Sequence, residues 1–418
     1  MGMTITEKIL SRASNKKEVF PGDIIMAKID VAMCNDIAAP SVISAFREIA
    51  DKVWDPQRVV FIMDHCVPAH NLWAATTARL VREFQKQQGI IFYEIGRGGI
   101  EHQVMHEKGH VRPGEVIVGT DSHTCTYGAL GAFSTGIGAT EMAGVLVTGE
   151  LWFKVPASIK FNLIGKLPEM VVGKDIWLYI AGQIGADGAL YKAVEYAGPL
   201  TGELSLDSRL TMCNMAVEIS AKNGIFEPDE KVIEYVRQRT NKQFETVRSD
   251  ADAEYEETFE FDVSNIEPQV AVPYSPANAK PVSEVAGIKV DQAFIGSCTN
   301  GRMEDLRMAA RILEGRKVHS DVRLIVIPAS HEIYRQATAE GILDVFLKAG
   351  AAVCYPSCGP CAGIDKGVLA ADDVCISSTN RNFKGRQGHP ESKTYLANAA
   401  TVAASAVKGE IADPRVLL

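Results

Sequence analysis

Short apolar runs and helical apolar stripes alternate along this chain, and that alternation sets the expected architecture. In the C-terminal third, residues 292–296, 322–328, 351–355 and 374–377 are apolar or β-branched runs of the kind buried strands make. Between and after them, 302–313 and 331–348 carry apolar residues at helical spacing. Residues 362–370 also read as helical, and the Ala-rich stretch 395–407 closes as a helix. The first half begins the same way, with a strand at 59–63, an amphipathic helix at 72–87, and strands at 90–95 and 116–119. Strands alternating with helices predict parallel strands joined by right-handed crossovers, an α/β fold whose sheets are flanked by helices. The pattern leaves the order of elements between Gly165 and Arg248 unresolved.

At 418 residues the chain exceeds what one hydrophobic core supports, so more than one domain is expected. The clearest break is the acidic run Asp250, Asp252, Glu254, Glu256, Glu257 and Glu260, followed by Pro268, Pro273, Pro276 and Pro281. A solvated acidic face and spaced prolines suggest an extended connector. The expected division is therefore residues 1–285, an N-terminal α/β region, and 286–418, a C-terminal α/β domain.

Composition narrows the function classes. Apolar residues make up 46% and charged residues 23%, which suits a globular chain and excludes a collagen or a wholly disordered one. The net charge is −9 with no basic block, which argues against a nucleic-acid groove. No run of 18 apolar residues suggests a membrane span. The N-terminus does not resemble a signal peptide, and nine cysteines, an odd number, do not make a secreted disulfide framework. A cytoplasmic location is expected, where neighbouring cysteines mean a metal or redox site more often than a disulfide.

Ligands in open α/β sheets bind beyond the carboxyl ends of the strands, and in this sequence those ends carry the chemistry. Ser297-Cys298-Thr299-Asn300 follows the strand at 292–296. Ser357-Cys358-Gly359-Pro360-Cys361 follows 351–355, and Ser378-Thr379-Asn380-Arg381-Asn382 follows 374–377. Cys298 can thus meet Cys358 and Cys361. The Cys-x-x-Cys spacing alone leaves zinc, an iron–sulfur cluster and a redox dithiol open. Zinc would want a fourth ligand, but Cys354 and Cys375 fall in strand patterns and read as buried structural thiols. A redox dithiol would not need Cys298. A 4Fe–4S cluster on three cysteines leaves one iron open, the vacancy that Lewis-acid catalysis requires.

The strand ends of the first half carry acid–base groups instead: Asp64-His65, the histidine of Gly98-Gly99-Ile100-Glu101-His102-Gln103, and Thr120-Asp121-Ser122-His123-Thr124. An aspartate beside a histidine fixes its tautomer and stabilises its protonated form, which suits proton transfer. His70, His106, His110, His319 and His331 read as surface or capping residues. The glycine-rich stretch 128–138 lacks a full dinucleotide fingerprint and reads as close backbone packing.

Taken together, Gly296-Ser297-Cys298-Thr299-Asn300, Ser357-Cys358-Gly359-Pro360-Cys361, Asn380-Arg381-Asn382-Phe383-Lys384-Gly385-Arg386 and Thr120-Asp121-Ser122-His123-Thr124 resemble the signatures of the aconitase superfamily. Cys213-Asn214-Met215 with Glu218 is similar to a further segment of it. The resemblance implies an aconitase-like α/β fold with parallel or mixed sheets and a cluster at the carboxyl ends of strands. It further implies that residues 1–285 form two interwoven domains, and that the swivel domain of single-chain aconitases is missing here. By length the chain resembles the large subunits of the isopropylmalate and homoaconitate branches, so a separate small subunit is implied to supply the swivel domain and the catalytic base.

Carried over by motif, Cys298, Cys358 and Cys361 would hold a 4Fe–4S cluster with one open iron. Asp64, His65, His102, Asp121, His123 and Glu218 would form the acid–base shell. Asn35, Ser122, Asn214 and Asn380 would contact substrate or cluster, and Arg381 and Arg386 would grip a carboxylate of a small hydroxy di- or tricarboxylic acid. Asn35 stands where aconitases proper have glutamine, which argues against citrate. The implied reaction is dehydration and rehydration by a hydro-lyase. Isopropylmalate, through leucine biosynthesis, is the favoured substrate, with homoaconitate and 2,3-dimethylmalate as alternatives. A cluster-switched RNA-binding regulator is the reading from another class, disfavoured by the acidic balance.

Overall fold

The computed structural model describes residues 2–418, which form two compact units, each with its own sheet system. The first comprises residues 2–164 and 189–261; the second comprises 165–188 and 262–418. The segment 165–188, whose order the sequence pattern did not give, thus belongs with the C-terminal part of the chain.

In the first unit, β1 (Ile24–Lys28) pairs antiparallel with β7 (Glu150–Lys154). A five-stranded parallel sheet holds β2 (Val31–Asn35), β3 (Val59–Ile62), β4 (Ile91–Tyr93), β5 (Val116–Gly119) and β6 (Phe133–Gly136) in the order β4-β3-β2-β5-β6. β2, β3 and β5 are buried at every position, which is why their sequences are continuous apolar runs instead of alternating ones. A second sheet, in the order β10-β9-β8-β11, contains β8 (Ser158–Ile164), β9 (Ala193–Ala197), β10 (Asn223–Phe226) and β11 (Glu257–Asp262).

Helix Leu72–Gln88 shows how the flanking layer forms. Asn71 caps it by accepting the Ala74 amide at 2.8 Å, and Gly89 ends it at φ +69°. Its buried stripe, Ala74, Ala78, Val81 and Phe84, sits at helical spacing, and Phe84 packs on Phe46 and Phe61 with ring centroids 5.5 Å away in each case.

In the second unit, seven strands run in the order β13-β12-β18-β17-β14-β15-β16. They are β12 (Gln269–Ala271), β13 (Ala279–Pro281), β14 (Gln292–Ile295), β15 (Arg323–Val326), β16 (Ala352–Val353), β17 (Val374–Ser377) and β18 (Lys393–Leu396). β14 to β18 are mutually parallel, and β12 runs antiparallel to both β13 and β18, giving a mixed sheet.

Three expectations are corrected here. The helix expected over 331–348 is two helices, His331–Ala339 and Ile342–Ala349, broken at Gly341 with φ +74°. Residues 362–370 are not helical: only the short 3-10 turn Gly359–Ala362 forms, and the glycines at 359, 363 and 367 disfavour more. The closing helix starts at Ala399, capped by Asn398, because Tyr395 and its neighbours form β18.

Both sheets have a point where the strand order reverses, between β2 and β5 in the first unit and between β14 and β17 in the second. The crevice outside the carboxyl ends at such a switch point is where open α/β sheets bind ligands. Asp64 and Asp121 leave β3 and β5 of the first sheet. Cys298 and Asn380 leave β14 and β17 of the second.

Candidate active site

The first unit assembles the acid–base groups. His65 Nδ1 lies 2.7 Å from Asp64 Oδ1 and 3.5 Å from Asp36 Oδ1. Asp36, just beyond β2, accepts the backbone amides of His65 and Cys66 at 3.1 and 2.8 Å, which pins the loop carrying His65 to the neighbouring strand. Burial pushes the Asp64 carboxyl above its ordinary range despite the pull of His65. Asp36 goes the other way: burial raises it, but the contacts with His65 and with the two amides outweigh that and hold it low.

Asp121 is the hub of a second arrangement. Its Oδ1 lies 2.9 Å from His102 Nε2 and 3.2 Å from His123 Nδ1, and accepts the His123 amide at 2.7 Å. His123 Nε2 in turn lies 2.6 Å from Glu218 Oε1, and His102 Nδ1 lies 3.2 Å from the Tyr127 hydroxyl. Burial raises the Asp121 carboxyl, yet bonds from two imidazoles hold it well below the usual range. Burial, against the pull of Asp121, lowers the His102 pKa. The close approach of this loop to β6 depends on Gly136, where a Cβ would lie 2.6 Å from the Asp121 carbonyl oxygen.

Asn214 donates from Nδ2 to Thr126 Oγ1 at 2.8 Å, and its carbonyl accepts the Cys125 thiol, so its amide supports the loop after Asp121. Ser122 is half-buried, and its carbonyl oxygen also accepts from Cys125. Asn35 faces inward: it accepts the Ala38 amide at 2.9 Å and donates to Glu101 Oε1 at 3.1 Å. The glycine-rich stretch does serve backbone packing, since a Cβ on Gly128 would overlap the Gly224 carbonyl oxygen.

Glu101, next to His102, is a buried carboxyl of this cluster that the sequence pattern does not single out. It is buried, its amide donates to Asp64 Oδ2 at 2.8 Å, and its Oε2 has no hydrogen-bond partner among the described residues. Burial, with Asp64 and Asp121 close by, holds its carboxyl well above the ordinary value. The group therefore favours its neutral form. Wild-type stability should fall as pH rises from the unfolded value near ~4.3 towards the folded one, by up to about 1.4 kcal/mol per pH unit in that window. Glu101→Gln escapes this loss, so its thermal stability relative to wild type should improve as pH rises above the unfolded value near ~4.3. A difference constant with pH would contradict the assignment.

Two expectations about histidines change. His106 is buried and bonded to the Tyr235 hydroxyl at 2.6 Å. His110 is half-buried, with its Nε2 2.7 Å from the Tyr93 hydroxyl, and burial lowers its pKa to about 4. Neither is a surface residue, because the apolar periodicity that marks buried positions does not register a histidine with a tyrosine partner.

The second unit assembles the thiols. Ser297 adopts φ +76°, an uncommon conformation for a non-glycine residue, at the turn out of β14. Its hydroxyl donates to the sulfurs of Cys298 and Cys361, each at 3.8 Å. Asn380, on the strap after β17, bridges the same two residues: Nδ2 donates to Cys298 Sγ at 3.3 Å, and Oδ1 accepts from the Cys361 thiol at 3.5 Å. Cys358 sits one turn before Cys361, whose amide donates to the Cys358 carbonyl at 3.3 Å. Gly359 between them has φ +58°, and a Cβ there would collide with the Ile327 side chain.

Cys298, Cys358 and Cys361 are all buried. Buried thiols from two loops, with an amide and a hydroxyl directed at two of the sulfurs, form a donor set that fits an iron–sulfur cluster. Cys375 stands apart, opposite Gln292 at the amino end of the strands, and burial pushes its thiol up to about 12. Cys354, expected to be buried, is only half-buried because β16 ends before it.

The strap beyond Asn380 is fixed by Asn382, which donates to the carbonyls of Ala271, Val272 and Thr394. Arg381 and Arg386 are half-buried on either side of it, and the Arg381 guanidinium lies 5.9 Å from the Phe383 ring centroid.

With paired histidines and carboxylates at the strand ends of one sheet and three cysteines at those of the other, the chain matches the aconitase family (aconitate hydratase) model over residues 7–287 and 283–409. The chain belongs to that family. It is 54% identical to the 3-isopropylmalate dehydratase large subunit 1 of Methanopyrus kandleri, over 100% of both chains. It is 55% identical to the 3-isopropylmalate dehydratase large subunit of Aquifex aeolicus, over 99% of this chain and 97% of that one. Identity to the corresponding subunit of Moorella thermoacetica is 54% over 99% of each. Among solved structures, the aconitase X of Thermococcus kodakaraensis shares the fold, with a TM-score of 0.55 at 12% identity, covering 96% of this chain and 94% of that one. No helix among the described residues is long and apolar enough to cross a membrane.

Proposed function

We propose that this chain is the large, cluster-bearing subunit of a 3-isopropylmalate dehydratase, interconverting 2- and 3-isopropylmalate by dehydration and rehydration. One observation carries the reading: the buried thiols of Cys298 and Cys361 share Ser297 and Asn380 as partners, with buried Cys358 one turn from Cys361, in a chain that matches relatives of that name over its whole length. Cys298, Cys358 and Cys361 would hold the 4Fe–4S cluster. When bound, such a cluster supplies a Lewis-acidic iron that polarises the substrate hydroxyl, a contribution of several kcal/mol.

The protein's own groups do the rest. His65, oriented by Asp64 through its Nδ1, presents Nε2 as the acid that protonates the departing oxygen. The Asp121 carboxylate orients His102 and His123, while Glu218 holds the far nitrogen of His123. Asn214 and Ser122 steady this loop, and Asn35 fixes Glu101 beside it. Arg381 and Arg386 grip a substrate carboxylate, for which the planar guanidinium fork is suited. Asn380 orients the Cys298 thiolate by donating to it from Nδ2. Proton abstraction from carbon is assigned to a small subunit that carries the swivel domain, and the protein is assigned to the cytoplasm.

The test is reconstitution. The anaerobically prepared large subunit alone should be nearly inactive, and adding the small subunit should raise turnover by about 10²–10⁴, the usual worth of a positioned base. With both present, 3-isopropylmalate should be turned over ahead of homoaconitate and 2,3-dimethylmalate. Full activity without a partner, or preference for another of the three acids, would refute the corresponding part.

A further inference from the structure

Lys174 is the least expected side chain near the thiols. It lies in the first turn of the helix Gly173–Ile184, is fully buried, and reaches the loop after β17 within the second unit. Its ammonium donates to the carbonyl oxygens of Ser378 and Thr379, the two residues before Asn380. Thr299, next to Cys298, donates from its hydroxyl to the same Ser378 carbonyl at 2.8 Å.

No carboxylate lies within ion-pair distance of Lys174 among the described residues, and the two nearest candidates are engaged elsewhere. Asp175 accepts the amides of Val172 and Gln269 and the side-chain amide of Asn398. Asp305 accepts from Asn300 and from the Arg302 amide. A buried cation held by carbonyl dipoles alone is costly, and burial lowers the Lys174 pKa to about 8. Asp305, Cys298, Asp175 and Cys361 are the negative charges that oppose that drop. Three thiolates on a 4Fe–4S core leave a net negative charge, which is what this lysine lacks as a partner.

We propose that Lys174 is a positioning residue for the cluster: its ammonium tethers the strap that carries Asn380 and supplies a buried positive charge to balance the thiolates of Cys298 and Cys361. The inference rests on the cluster reading above. A positive charge close to a cluster favours the reduced state and retention of the metal, since potential follows net charge and hydrogen bonding at the sulfurs.

Wild type, Lys174→Met, Lys174→Gln and Lys174→Arg are reconstituted anaerobically as full chains, and three quantities are read without turnover. These are iron and sulfide per chain, the rate of iron loss to a chelator, and the midpoint potential from an EPR-monitored reductive titration. Lys174→Met should shift the potential to more negative values and lose iron roughly 10–100-fold faster, as removal of a supporting partner does at metal sites. Lys174→Gln keeps a donor for the Ser378 and Thr379 carbonyls without the charge. It should show the same shift in potential, so the comparison stays decisive even if the methionine variant does not fold. Lys174→Arg should restore most of the wild-type potential. A cluster in wild type with unchanged potential and iron loss in the methionine and glutamine variants would overturn the role of Lys174 alone. A wild type that takes up no iron and sulfide would overturn the cluster reading and this inference with it.

Discussion

Serine at position 298, 358 or 361 abolishes turnover and bleaches the protein. An alcohol at these buried positions stays protonated at neutral pH and is a poor ligand for iron, so each variant should lose the broad absorption near ~400 nm expected of an iron–sulfur centre. Removing a Lewis acid worth several kcal/mol lowers kcat by about 10³-fold or more. The loss should be equal at all three sites, whether or not the sulfur shares Ser297 and Asn380 as partners, as Cys298 and Cys361 do. Cys354→Ser and Cys375→Ser provide the control. The first is half-buried beyond β16 and the second lies at the amino end of the strands, so both should keep the absorption. Absorption retained in Cys298→Ser would break the assignment.

The second large effect is expected at Asp121. One carboxylate oxygen serves His102, the His123 ring and the His123 amide together, so Asp121→Asn keeps the volume but loses the charge that orients two imidazoles. Turnover of the reconstituted complex should fall by about 10²–10⁴, the range for a misplaced proton-transfer group, with KM changing far less.

The same substitution should leave a thermodynamic trace. Asp121 is held well below its ordinary value, so its stabilising contribution is present above the unfolded pKa near ~3.9 and is lost as pH falls towards the folded one. The variant should therefore be less stable than wild type at pH 7, and the two should converge as the solution is acidified below pH 4. Denaturant unfolding at both values measures this. A gap that widens in acid would show that the carboxylate is not the stabilised species.

Much of this is legible in the sequence because the strands are buried on both faces. Val116–Gly119 and Val374–Ser377 have the expected bounds, since a short, mostly apolar run containing β-branched residues and flanked by turn residues leaves little alternative. Leu72–Gln88 is equally clear from its cap, its stripe and its terminal glycine. The strand-end logic then leads to Cys298, Asp64 and Asp121 without any knowledge of pairing. What fails to show are features set by long-range contacts. β18 reads as the start of an Ala-rich helix until its pairing with β17 is known, and β12 and β13 are too short to announce themselves. Lys174 and Glu101 escape notice for a related reason: a charged residue in a helix reads as solvated, and only the folded chain reveals that each is buried among polar groups.

The central claim is that the three cysteines hold a cluster with one iron not bound by protein. Mössbauer and EPR spectroscopy of anaerobically reconstituted wild-type protein test it most directly, read against Cys298→Ser. We expect about four irons and four sulfides per chain, with one iron site distinct from the other three, and loss of that iron on mild oxidation to give a three-iron EPR signal. One tightly bound zinc per chain, or four equivalent irons that survive oxidation together, would contradict it.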